Sequence, residues 1–217
     1  MSSAFFTCSD INTIRVSTLK VDTINPKTSW NTGEIAGNKP IALRTGSIIS
    51  MHQVDKNDHD GSATATTWED MSGYSITVTP YTVNSKFIID GMLNLARTIN
   101  SHTTLVRIVR VVSGQSDVVV GGGKKDTSGA TYALNQSNYV EGAVLSYRSN
   151  GQSSTVYVSE PNAFGAIDDP DTTSAITYKL QWYQTGSTVY INRGVSGGNN
   201  AYESAASSYL KVTEIAG

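Results

Sequence analysis

The chain has 217 residues, of which 38% are apolar and only 16% charged, with a formal net charge of -2 and a sequence pI near 5.9. That length suits one domain with an arm, and the near-neutral balance excludes the broad basic footprint of a nucleic-acid or anionic-membrane binder. A charged fraction well below the usual quarter, with 19 Gly, 5 Pro, 27 Ser and 25 Thr, excludes a helical bundle, a coiled coil and a charge-rich disordered chain, and suits short strands and tight turns.

The N-terminus lacks the basic region and apolar stretch of a secretory signal, and no window approaches the apolar length of a spanning helix. The chain is therefore expected to be made and assembled in a cytoplasm. Residues 1–44 carry short apolar bursts separated by Asn, Thr, Asp, Pro26 and Pro40, which predicts an extended arm ahead of a domain at 45–217. Such an arm cannot bury its own apolar side chains. Phe5, Phe6, Val21, Ile24 and Trp30 are thus expected to be docking or assembly contacts. Cys8 is the one cysteine, so no internal disulfide can form.

From Thr45 onward, apolar runs separated by turn residues predict an all-β antiparallel sandwich. The expected strands are 46–54, 75–79, 86–95, 104–112, 117–121, 141–148, 154–159, 175–184, 188–192 and 207–215. Ile176, Tyr178, Leu180 and Trp182 alternate with Thr177, Lys179, Gln181 and Tyr183, so one face is expected to be buried and one wet. Gln184-Thr185-Gly186-Ser187 then predicts a hairpin into 188–192. Ile76, Phe87, Ile89, Leu210 and Val212 join the expected core. Leu105 to Val112 is apolar on both faces, with Arg107 and Arg110 on opposite sides, as in a strand covered twice or a subunit contact. No convincing amphipathic helix is present in the sequence.

Patterns that carry chemistry mostly fail. Gly121-Gly122-Gly123-Lys124-Lys125 has Val118 where a phosphate loop needs glycine and Lys125 where it needs Ser or Thr, which leaves a Gly loop between strands. Asp55 to Gly61 fills no calcium-loop frame. Asp168-Asp169-Pro170-Asp171 reads as a turn, although Asp55 and Asp168 stay open as ion ligands. His52, His59 and His102 have no metal-ligand spacing, and no nucleophile elbow occurs. No cofactor or metal is expected. Tyr132, Tyr139, Tyr147 and Tyr157, in or near expected loops, suit either a recognition face or ordinary sheet packing.

Several stretches in order carry a family resemblance. Leu19-Lys20-Val21-Asp22-Thr23-Ile24 is followed by Gly46 to Ser50 with Trp68 to Ile76, read as a first hairpin, and by Ile76 to Pro80 with Asn84 to Ile89. Asp168 to Leu180, Tyr190 to Arg193 and Ser207 to Ala216 complete the series. Together they resemble the small all-β structural and fibre-tip proteins of tailed bacteriophages, especially phages of marine bacteria and cyanobacteria. Ser113 to Tyr139 departs from that pattern. The resemblance implies a jelly-roll-like sandwich, commonly a homotrimer, in a non-enzymatic virion protein of the tail fibre, spike or tail-accessory type. Its expected partners are other virion proteins, further copies of itself and host cell-surface glycan or protein, with no nucleic acid and no membrane insertion. Three rivals stand beside it: a capsid decoration or cement protein, a glycan depolymerase that needs two carboxylates in a concave site, and a cellular lectin that binds without any virion.

Overall fold

The computed structural model of the protein describes residues 44–58, 62–63, 66–97, 103–122, 142–148, 159–186, 188–195 and 206–217. Eleven strands occupy these residues: β1 (Ile48–Lys56), β2 (Ser62–Ala63), β3 (Glu69–Val78), β4 (Lys86–Arg97), β5 (Thr104–Val112), β6 (Val118–Val120), β7 (Leu145–Tyr147), β8 (Glu160–Asp168), β9 (Ile176–Gln184), β10 (Val189–Ile191) and β11 (Ser208–Ile215). Among the described residues no helix is present. The arm contacts expected at Phe5, Phe6, Val21, Ile24 and Trp30 lie outside the described residues.

Three pairs of strands are single rows interrupted by an excursion. β6 and β7 both pair with β5 on the side away from β9, Val120 opposite Ile108 and Leu145 opposite Val106. β10 and β11 likewise follow each other along β4, opposite β8, with β2 and β1 alongside them. Counting rows in chain order, the first sheet runs β1/β2, β10/β11, β4, β8 and the second runs β3, β9, β5, β6/β7. Rows 1-8-3-6 facing rows 2-7-4-5 are the two nested Greek keys of a jelly roll. All pairings are antiparallel.

The core lies between the sheets and follows from strict alternation. Ile176, Tyr178, Leu180 and Trp182 of β9 face Phe87, Ile89, Leu93 and Leu95 of β4, and Leu210 and Val212 of β11 extend the same layer. All the expected core residues are buried. Gly91 interrupts the β4 series because its direct neighbour on β8, Phe164, lays its ring there. A Cβ at Gly91 would fall 2.6 Å from that ring and 2.3 Å from the Tyr209 carbonyl oxygen.

Several expectations are corrected. β9 and β10 are not a hairpin: β9 pairs with β3 and β5, whereas β10 pairs with β4 and β2. The turn at Thr185-Gly186 instead crosses from one sheet to the other, with Gly186 at φ 136°. The stretches Gly46 to Ser50 and Trp68 to Ile76 also feed opposite sheets, so they are no hairpin either. The reason is topological. In a jelly roll, successive rows mostly alternate between sheets, and only β5 to β6 turns back within one, through Gly114 at φ 79°. β8 was not expected, and the strand expected at 154–159 lies outside the described residues except for Ser159, which precedes β8. β3 begins six residues earlier than 75, its alternation hidden by a register shift between Asp70 and Ser75 around Gly73 at φ 79°.

Candidate interaction surfaces

The residues singled out by sequence are mostly consumed by the fold. Asp168 ends β8 facing inward, and Arg110 of β5 in the opposite sheet donates from one nitrogen to both its carboxylate oxygens at 2.8 and 2.9 Å. The Tyr178 hydroxyl donates to Asp168 Oδ2 at 2.8 Å. Burial, then the adjacent Asp168 charge, push the Tyr178 phenol well above its ordinary pKa. Asp169 pairs with Lys86 at 3.1 Å. The acidic turn is therefore tied to bases. Asp55 accepts from Gln53 and Asp58 pairs with Lys56. Among the described residues no three His, Cys, Asp or Glu side chains converge to hold a metal. His59 and His102 lie outside the described residues, and His52 is exposed on β1.

Of the two readings open for Tyr147, a recognition face or ordinary sheet packing, the structure gives the second. Tyr147 is 3% exposed on β7, and burial, then the charge of Glu160, raise its phenol pKa. Tyr132, Tyr139 and Tyr157 lie outside the described residues. Beside Tyr147, Arg97 is 1% exposed at the end of β4 and donates Nη2 to the Gly186 carbonyl at 2.7 Å. Burial lowers its pKa to about 10, with Tyr147 acting the other way. Thr104 Oγ1 donates to Gln184 Oε1 at 2.8 Å in the same buried polar layer at this end of the sandwich.

Asn192 knots the point where rows 1 and 8 are both interrupted. At φ 60°, a conformation that Asn tolerates better than most residues, it donates its backbone N–H to the Asn94 carbonyl at 2.9 Å. Its amide reaches the Lys56 and Asp58 carbonyls at 2.8 and 3.1 Å, and it accepts from the Ser208 hydroxyl at 2.5 Å. Tyr74 of the second sheet packs on this knot. Burial pushes its phenol up to about 12, opposed by the neighbouring Ser208 and Asn192 groups.

The two outer faces differ in chemistry. On the second sheet, Trp68 folds over the face, its ring 4.3 Å from the Arg107 guanidinium and 5.7 Å from the tilted ring of Tyr183. Arg107 Nε donates to Gln181 Oε1 at 2.8 Å, Gln181 Nε2 to Asp70 Oδ1 at 2.6 Å, and Lys179 Nζ to Asp70 Oδ2 at 3.1 Å. Burial raises the Asp70 pKa, but the hydrogen bonds from Gln181 and Lys179 and the nearby positive charges outweigh it and hold the carboxyl below its ordinary value. This is a tied-down aromatic and polar lattice across three rows. Arg107 and Arg110 do lie on opposite faces, and Val109, 2% exposed, is buried on the outer one. Sequence reasoning missed the lattice because its members come from three stretches far apart in the chain, Arg107 standing 74 residues from its partner Gln181.

On the first sheet the outer face mixes exposed apolar side chains with polar ones, Gln53, Lys211 and Asp90 standing in the line next to the apolar one. Direct pairing sets Met51, Thr213, Ile88 and Ile167 in one line across all four rows. Ile48 and Ile167 are each 68% exposed and Met51 is 65% exposed. The alternation that would flag this face is broken in β1 by a register shift between Ile48 and Ser50, and in β8 by Pro161 and Gly165.

No protein-family profile matches the chain. No curated protein matches it either. Among solved structures, it is similar to a chain in "Structure of infectious bursal disease virus Gt strain", at 12% sequence identity and a TM-score of 0.38, over 80% of this chain and 39% of that one. The protein thus spans well under half the length of that neighbour.

Proposed function

We propose that the protein is a non-enzymatic structural component of a phage virion, of the tail fibre, spike or tail-accessory type. Residues 1–44 dock it to the particle, and the sandwich is displayed outward, as a homotrimer, toward the host surface. The observation that carries this reading is the strand order, because the jelly roll is an architecture of capsid and lectin domains. The ordered series of phage-like sequence stretches supports it. An adhesin of this kind works by repetition: several copies on one particle turn individually weak contacts to host glycan or protein into stable attachment. The Trp68, Tyr183 and Arg107 lattice supplies rigid rings and a guanidinium on one outer face, the side-chain types enriched in recognition surfaces.

The test is co-purification. Particles banded on a density gradient and washed in high salt should retain the protein at a fixed copy number by mass spectrometry. Recovery only from the particle-free supernatant would overturn the reading. A decoration protein that clamps capsid subunits through residues 1–44 is the second reading, favoured by the entry of the chain at Gly46 and Ser47, where Gly46 N–H donates to the Ala216 carbonyl at 2.7 Å and Ala216 N–H to the Ser47 carbonyl at 2.8 Å, which presents the start and end of the sandwich together. The glycan depolymerase predicts reducing-sugar release from host polysaccharide, which the proposed adhesin does not produce.

A further inference from the structure

We infer that the Trp68 corner of the second sheet's outer face is a binding site for a neutral saccharide. The inference rests on the outward, host-facing role proposed above and names the ligand class that this same lattice takes. Trp68 stands outside the core, unlike Trp182, and remains partly exposed. Arg107 covers one face of its indole at 4.3 Å, which leaves the other face to solvent. A chain of hydrogen bonds holds that arrangement before any ligand arrives: Arg107 to Gln181, Gln181 to Asp70 and Lys179 to Asp70. Less freedom is lost on binding where the side chains are already ordered.

Layout and charge select the class. Direct pairing sets Leu105 opposite Tyr183 in one line, with Trp68 against the Tyr183 ring, and sets Arg107, Gln181 and Asp70 in the next. An apolar strip thus borders a strip of planar hydrogen-bonding groups. A hexopyranose has the matching halves: a flat face of C–H groups that lies on a ring, and an edge of hydroxyls that both donate and accept. The charges balance, because Arg107 and Lys179 stand against Asp70 and Asp117, with Lys179 3.1 Å from the first carboxylate and 3.8 Å from the second. An anion meets the two carboxylates and a cation the two bases, whereas a neutral hydroxyl finds an acceptor and a donor side by side. A nucleotide also stacks on rings, but its phosphate gains no attraction from a balanced set. A protein partner would have to bury these charged side chains at the centre of its footprint, where interfaces are depleted of charge and desolvation is costly.

Titration of the full chain with methyl glucoside, methyl mannoside, methyl galactoside and N-acetylglucosamine tests this, read from the indole N–H signals in proton-nitrogen correlation spectra. At least one of these neutral sugars should shift the Trp68 signal, assigned by its absence in Trp68→Phe, and leave that of Trp182 in place. Trp68→Ala and Arg107→Ala should each weaken binding by about tenfold, and Ile167→Arg, on the opposite sheet, should not change it. Trp68 takes no part in the core, so Trp68→Ala should keep the wild-type far-UV circular dichroism. Glucuronic acid should bind more weakly than the neutral sugars. No shift with any of the neutral sugars, binding undiminished in both lattice variants, or tighter binding of glucuronic acid would overturn the inference. A protein missing from purified particles would overturn the proposed function and leave the sugar titration standing. A protein that bands with particles yet binds none of the sugars would overturn this inference alone.

Discussion

Asp168 and Arg110 sit 58 residues apart in sequence and join the two sheets through a buried ion pair that also holds the Tyr178 hydroxyl. Removing one member strands the other in a low-dielectric core, which costs about 3 to 5 kcal/mol. Asp168→Ala should therefore lower the melting temperature by roughly 10 °C. Replacing both residues, Arg110→Met with Asp168→Leu, should recover most of the loss, as calorimetry on the two variants would show. The sequence marked Asp168 as part of an acidic turn, but nothing local could identify Arg110 as its partner. Only the row order brings residue 110 opposite residue 168. Trp182 and the rest of the β9 alternation, by contrast, were legible because period-two patterning is a property of the strand alone.

Buried phenols make a pH prediction at the same scale. Tyr74, Tyr147 and Tyr178 all have folded-state pKa values above the ordinary 10, that of Tyr74 near 12. A raised acid keeps its proton in the folded state after the unfolded state has lost it. Its stabilisation is thus complete below pH 10 and declines as pH climbs from about 10 through the folded value, by up to about 1.4 kcal/mol per pH unit for each group. Arg97, lowered to about 10, opposes part of this above pH 10. Absorbance at 295 nm should show these three of the eleven tyrosines ionising only together with unfolding, and a single early phase for all eleven would contradict their burial.

At the scale of elements, the strands legible in sequence were those with a long apolar run: β9 and β11 alternate without Gly or Pro, β5 is apolar on both faces, and β4 keeps its inward apolar series on either side of Gly91. β8, Glu160–Asp168, contains Pro161, Asn162 and Gly165, residues of low β-propensity, and becomes a strand because Phe164 fills the gap over Gly91 and Asp168 meets Arg110. Tertiary context overrode local preference there. The hairpin expected at Gly186 failed for a related reason: a Gly turn reports that the chain reverses, not which sheet it enters next. The interrupted row β6/β7 offers a further test. Gly122 at φ 84° and Gly142 at φ 88° stand so close that a Cβ on Gly122 would overlap the Gly142 backbone, and Val144 N–H already donates to Val106 at 2.8 Å. Deleting 121–143 to join Val120 to Val144 should close the row with no loss of register. Its melting temperature should stay within about 5 °C of wild type, because shortening the connection between β6 and β7 changes closure entropy by well under a few kcal/mol. Collapse of the folded signal would show that the segment is needed by the core.

Over the whole molecule, a jelly roll presents two mixed outer faces, one with exposed Ile48, Met51 and Ile167 and the other with the Trp68, Tyr183 and Arg107 lattice. The class of fold was readable from composition and turn spacing. The difference between the faces was not, since it depends on which residue of β1 stands beside which of β11, β4 and β8. The central claim is that the sandwich is displayed outward on a virion. Gold-labelled antibody against the protein, applied to intact particles and viewed by electron microscopy, tests it most directly. The account predicts label on the particle, at the tail for an adhesin, whereas label over the head would assign the decoration role; intact particles that carry no label would contradict the account.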